Sequence, residues 1–243
     1  MKTSLLCCVI LSLFGCAGGV AVTVNAPKDY VLVGDGPVVV MLTSITSMDN
    51  AVVDNPNTTT IPSRLLSAGY SLMSIDVPCQ GTNNPTNDTS GDSLACWAKR
   101  IAAGDKDIFL EFCSKLSSAL DDIGRPVAGI VGISRVGYVA AVCGAQDYRL
   151  KNLMLLAPVT DLNFLYEFAP PLNAPEEFSL VPLYPQLREK NVLVRIGETD
   201  TRVGTALAAD FAHDIGATLQ MLTCPGHCSP EDGRTITWLE EHP

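Results

Sequence analysis

Apolar residues in this chain come in short dense runs, separated by stretches of helical periodicity. Residues 37–42, 70–77, 126–133, 153–156 and 192–196 are almost unbroken apolar segments, as strands buried on both faces of a sheet require. Residues 20–24, 30–33 and 218–223 read as further strands. Between them, residues 62–68, 94–103, 105–123, 135–145, 203–215 and about 231–239 read as helices. In the longest of these, Phe109, Phe112, Leu116 and Leu120 recur at helical spacing. Gly69 closes the first helix and Pro78 ends the 70–77 strand. Residues 49–60 and 79–93 are rich in Asn, Thr, Gly and Pro and read as loops, and 163–185 is an irregular Pro-rich segment suited to a small cap. Buried strands alternating with helices predict an α/β fold, with a mostly parallel central sheet and helices on both faces. Ligands in such sheets bind beyond the carboxyl ends of the strands. Chemistry is therefore expected near Thr43, Asp76, Ser134, Thr160, Thr199 and Gly226.

The first residues break this rhythm. Lys2 precedes an apolar run from Leu5 to Phe14, and Gly15-Cys16-Ala17-Gly18-Gly19 follows. This is the order of a secretory signal, and the run falls short of the roughly 20 residues that span a bilayer. Leu13-Phe14-Gly15-Cys16 resembles a bacterial lipobox, in which the Cys carries the lipid. The expected division is a signal at 1–15 and a single domain at 16–243 with a cap loop at about 163–185. An exported protein follows, in the periplasm or cell envelope, touching membrane only through a lipid on Cys16. The net charge of −10 over 243 residues disfavours nucleic-acid backbones as partners.

Chemistry concentrates at Gly132-Ile133-Ser134-Arg135-Val136-Gly137, where a buried strand turns directly into a helix with a serine at the corner. A nucleophile elbow holds its serine on such a turn, with small residues two positions either side. Gly132 meets the first requirement. Val136 stands where the second Gly is usual, and Gly137 comes one place late. A serine nucleophile needs a base, and the base needs an orienting carboxylate. Of three histidines, His213 lies inside a helical run and His242 is penultimate and expected to fray. His227, in the loop after the last strand, is the expected base. Asp200, after the 192–196 strand, is the first candidate acid, and Asp161 and Glu198 follow. Asp200 also reads as a turn or cap aspartate before the helix at 203.

Taken together, the chain from Val31 to Leu239 resembles the α/β-hydrolase superfamily, closest to dienelactone-hydrolase and prolyl-oligopeptidase-like serine esterases. The residues that carry the likeness are Gly-Ile-Ser-Arg at 132–135, Gly-Glu-Thr-Asp at 197–200 with Arg202-Val203, Pro-Gly-His at 225–227, and Asp76-Val77-Pro78-Cys79-Gln80-Gly81. The resemblance implies the α/β-hydrolase fold, a Ser134–His227–Asp200 triad and hydrolysis of small or medium acyl esters through an acyl-enzyme. It implies an oxyanion hole from the backbone N–H of Arg135 and of Thr43 or Ser44, and no cofactor. Trp97, Phe164, Tyr166 and Phe168 are candidates for lining a substrate pocket beside the cap loop, with ordinary packing an equal alternative for each; Arg135 is a candidate for pairing with a substrate carboxylate, against a plain surface arginine at the helix start. Val136 motivates the alternative of a catalytically weak or inactive envelope protein with a binding or scaffolding role.

Six cysteines follow Cys16. Cys79 with Cys96 would close the loop after the 70–77 strand, and Cys224 with Cys228 would clamp the His227 loop. Cys113 and Cys143 lie on helical stretches and read as plain buried thiols. A metal on Cys224, His227 and Cys228 would lack a fourth ligand.

Overall fold

A computed structural model describes residues 30–42, 61–80, 93–168, 175–228 and 233–243. Cys16, Thr43, Ser44 and the expected 20–24 strand lie outside the described residues. The strands are β1 (Tyr30–Val33), β2 (Val38–Leu42), β3 (Ser71–Ile75), β4 (Val127–Ile133), β5 (Asn152–Leu156), β6 (Asn191–Gly197) and β7 (Thr218–Leu222). They form one sheet in the order β1-β3-β2-β4-β5-β6-β7. Only β1 runs antiparallel, against β3, and the other pairs are parallel. The helices are α1 (Ile61–Ser67), α2 (Ser93–Ala102), α3 (Ile108–Ile123), α4 (Arg135–Gln146), α5 (Tyr184–Leu187), α6 (Thr205–Ile215) and α7 (Arg234–Glu240).

Strand periodicity sorts the core into two layers. Val39, Met41, Val131 and Leu193 point to one face, where they pack with Ile61 and Leu65 of α1 and Ile236, Trp238 and Leu239 of α7. Val38, Val40, Leu42 and Ile130 point to the other, under α2 to α6. The apolar runs of β2, β3 and β5 are buried at every position, as a sheet covered on both faces demands.

Several boundaries differ from expectation for local reasons. α3 begins at Ile108 rather than 105, because Asp105 turns back to accept a hydrogen bond from Arg100 Nε at 2.6 Å. α6 begins at Thr205 rather than 203, because the amides of Arg202 and Val203 are taken by the Asp200 side chain. The described part of the 163–185 segment is a series of single turns at Leu162–Phe164, Tyr166–Phe168, Pro175–Phe178 and Val181–Leu183 leading into α5.

Three disulfides staple these elements: Cys79–Cys96, Cys113–Cys143 and Cys224–Cys228. The second corrects the reading of Cys113 and Cys143 as plain thiols. α3 and α4 pack side by side, and the two Cα atoms come within 5.0 Å, well inside disulfide range. His242 does not fray either. Its Nδ1–H donates to the Trp238 carbonyl at 2.7 Å, its ring stacks on Trp238, and its carbonyl accepts from Asn152 Nδ2 at 2.6 Å.

Candidate active site

β4 is a central strand, and it runs into α4 through one residue, Ser134, with φ 60° and ψ −126°. A non-glycine residue with positive φ carries strain, which surrounding contacts must hold. Three bonds do so: the Ser134 N–H donates to Leu156 O at 2.8 Å, and the Ser134 carbonyl accepts from Gly137 N at 2.9 Å and Val159 N at 3.1 Å.

The strand and helix must approach closely at this corner. A Cβ on Gly132 would lie 2.6 Å from the Val136 carbonyl and 2.7 Å from Ala140 Cβ. A Cβ on Gly137 would lie 2.8 Å from Pro158 Cβ. The second small residue therefore serves one place later than the motif has it, and Val136 is wholly buried in the core behind the turn.

The candidate acid comes from the loop after β6. Asp200 is 2% exposed. Its Oδ1 accepts hydrogen bonds from the amides of Arg202 at 2.9 Å and Val203 at 3.1 Å. Its Oδ2 lies 2.7 Å from His227 Nδ1. Asp200 thus fulfils both readings at once, one oxygen shaping the turn and the other facing the histidine. Thr205, not anticipated from the sequence, closes this loop: its hydroxyl donates to Gly197 O at 2.6 Å and accepts from Asp200 N at 2.9 Å. Its only sequence signal was a threonine at the start of a helix, a common capping position.

The histidine comes from the loop after β7. Gly226, with φ 66°, bends the chain and donates its N–H to Thr199 Oγ1 at 3.2 Å. The Cys224–Cys228 disulfide closes the loop around His227. Gly197 lets the loop sit against β6, since a Cβ there would lie 2.8 Å from the Gly226 carbonyl and 3.1 Å from Cys228 Sγ. His227 Nε2 lies 2.8 Å from Ser134 Oγ. Ser134, His227 and Asp200 are therefore joined by two hydrogen bonds, although 93 and 27 residues separate the partners in sequence.

The other candidates sit elsewhere. Asp161 accepts from the amide and side chain of Asn163 and caps the turn at 162–164. Glu198 is exposed and accepts from Thr223 Oγ1 at 3.3 Å. His213 is exposed at the end of α6, beside Asp214. Arg135 opens α4, where first-turn amides point out of the helix end, and its guanidinium donates to Ser93 Oγ at 3.2 Å. Trp97 belongs to the core. It is fully buried, donates its indole N–H to Pro78 O at 2.7 Å and packs edge-on against Phe109. Phe164 and Tyr166 lie at the acid loop: the Phe164 ring is packed against Gly204, and Arg202 stacks over the Tyr166 ring, 4.6 Å from its centroid. Arg202 also pairs with the shielded carboxylate of Glu167.

No protein-family model and no curated protein matches the sequence. Solved structures do. The chain is similar to a cold-adapted esterase from an Arctic intertidal metagenomic library, with 20% identity and a TM-score of 0.60, over 87% of this chain and 86% of that one. It is similar to acetyl xylan esterase 1 from Thermoanaerobacterium sp. JW/SL YS485, with 16% identity and a TM-score of 0.56, over 88% and 79% of the two chains. It is similar also to a predicted CIB-like hydrolase from Thermoplasma acidophilum, with 17% identity and a TM-score of 0.54, over 91% and 94%. Strand order, crossovers and these likenesses agree: the chain has the α/β-hydrolase fold.

Proposed function

We propose that the protein is an exported serine hydrolase that cleaves carboxylic esters through Ser134, His227 and Asp200. One observation carries this reading: a single imidazole touches a strained, turn-borne serine hydroxyl with Nε2 and a buried carboxylate with Nδ1. In this arrangement Asp200 holds His227 with its proton on Nδ1, leaving Nε2 to accept the serine proton.

The reaction then runs in two halves. Ser134 Oγ bonds to the ester carbonyl carbon as its proton passes to His227 Nε2, and the carbonyl electron pair moves onto oxygen. Preorganised N–H donors stabilise that oxyanion. The amide of Arg135 is one donor, and that of Thr43 or Ser44 is the other. The oxyanion collapses, the C–O bond to the alcohol breaks, and the alkoxide takes the proton from Nε2. Water repeats the sequence on the acyl-enzyme, with His227 again as base, and releases the acid. Phe164 and Tyr166 border the substrate from the acid-loop side. Export with lipid attachment at Cys16 completes the reading. The three disulfides support it, since such bonds persist in oxidising compartments. So do the esterases among the similar folds.

A fluorophosphonate probe should label Ser134, and Ser134→Ala should abolish labelling and lower kcat on p-nitrophenyl acetate by about 10⁴- to 10⁶-fold. Turnover retained in that variant would overturn the mechanism. Wild-type protein that neither takes the probe nor turns over a broad ester panel would favour a binding or scaffolding role.

A further inference from the structure

On the α4 side of the molecule, between α3, α4 and the turns at 175–183, lies a cavity of about 340 Å³. Its walls are largely apolar, built by Phe109, Val142, Phe178 and Leu183. Ser134, His227 and Asp200 are not among them. One polar side chain reaches it from the core, Tyr138, which is 3% exposed. Its hydroxyl has no hydrogen-bond partner among the described residues. The oxygen is not among the fully buried polar atoms that lack a partner, so it still reaches solvent, and a ligand's acceptor would take the place of water there. Burial, reinforced by the Asp161 carboxylate, pushes its titration well above the usual tyrosine range, so it stays a phenol and can donate.

The rim limits the chemistry. Lys106 reaches across from the α2–α3 connection to Glu177 on the cap at 2.8 Å, which spends its charge. Glu176 adds a second carboxylate to the rim. The mouth is therefore negative on balance and disfavours anions. An apolar cavity of about 150 Å³ accommodates benzene, so this one has room for roughly twice as many atoms.

We propose that this cavity is a binding site for an uncharged medium-chain carbonyl compound, a ketone or ester of about ten to twelve non-hydrogen atoms. Its chain lies against Phe109, Val142 and Leu183, and its carbonyl accepts the Tyr138 hydroxyl. The site does not depend on the catalytic reading, because occupancy is measured without turnover.

Decan-2-one serves as the probe, titrated by calorimetry into purified protein carrying Ser134→Ala. The expected result is saturable 1:1 binding with intermolecular NOEs from the chain to the Val142 methyls. Tyr138→Phe, which removes one oxygen and keeps the ring, should weaken binding about tenfold, the share of one well-made hydrogen bond. Val142→Trp, which fills the cavity, should abolish it. Decanoate should bind at least about tenfold more weakly than the ketone, as charge at a negative rim dictates. The proposal is overturned by an absence of saturable binding, by affinity unchanged in Tyr138→Phe, or by decanoate binding as tightly as the ketone. NOEs confined to residues around His227 would overturn it too, and they need no variant beyond Ser134→Ala.

Discussion

Exchanging one oxygen of Asp200 for an NH₂ group should have a chemical effect far larger than its structural one. Asn at 200 can still accept the amides of Arg202 and Val203 through its remaining oxygen, so the turn survives. Its NH₂ would then face His227 Nδ1, forcing that nitrogen to accept and moving the imidazole proton to Nε2, the wrong tautomer for a base. Asp200→Asn is expected to lower kcat about 10⁴-fold with an unchanged melting temperature, measured on the same ester and by circular dichroism. His227 was legible because a lone histidine in a loop beyond the last strand has no packing role. Asp200 was legible only as the first of three carboxylates, since turn-former and acid look alike until the two oxygens are seen doing different things. Gly137 was not legible as the close-approach residue. Its need arises from Pro158, in the turn after the neighbouring strand, which no local motif records.

Among elements, the disulfides divide into two kinds. Cys113–Cys143 ties α3 to α4 across 30 residues, whereas Cys224–Cys228 spans four and closes only the histidine loop. Loop-closure entropy makes the first worth about 3–4 kcal/mol and the second about 2 kcal/mol. Replacing Cys113 and Cys143 by Ala should therefore shift the denaturant midpoint more than replacing Cys224 and Cys228. The latter pair should instead lower kcat, because His227 loses the clamp that holds it against β6. Equal effects of the two double variants on kcat would contradict this division. The pairings at either end of the chain's chemistry could be anticipated from short spacing within one loop. Cys113–Cys143 could not, since it depends on which faces two helices turn toward each other. Strands and helices themselves were legible almost throughout, because β2, β3 and β5 are buried on both faces and so read as unbroken apolar runs. Trp97 stayed open between two readings for a related reason: an aromatic on an amphipathic helix fits a core or a pocket wall equally well, and here Pro78 and Phe109 claim it for the core.

At the scale of the whole molecule, one ionic knot joins the far end of α4 to α3. Arg149 donates to Asp147 at 2.7 Å, pairs with Asp121 and reaches the Ser117 carbonyl at 3.0 Å. Burial acts to raise the Asp147 carboxyl, but hydrogen bonds from the Arg149 side chain and backbone outweigh it and hold the group below its ordinary value. A depressed carboxyl stabilises the fold above the unfolded aspartate range, near pH 3.9, and that contribution disappears as pH falls through the folded value. Melting temperature should accordingly drop as pH falls below about 4, and drop less in Asp147→Asn. An identical acid profile for the two proteins would rule out this knot as a source of acid sensitivity. The sheet order carries a last consequence. Ser134 hangs from a central strand, but His227 hangs from β7, an edge strand of the described sheet, where Leu219 and Met221 are partly exposed. Outer strands open at lower free energy than the middle of a sheet. On warming, His227 should drift away while Ser134 stays seated, so turnover should fade before ellipticity does. Following both along one temperature ramp checks this: coincident midpoints would mean that β7 lets go only when the entire sheet does.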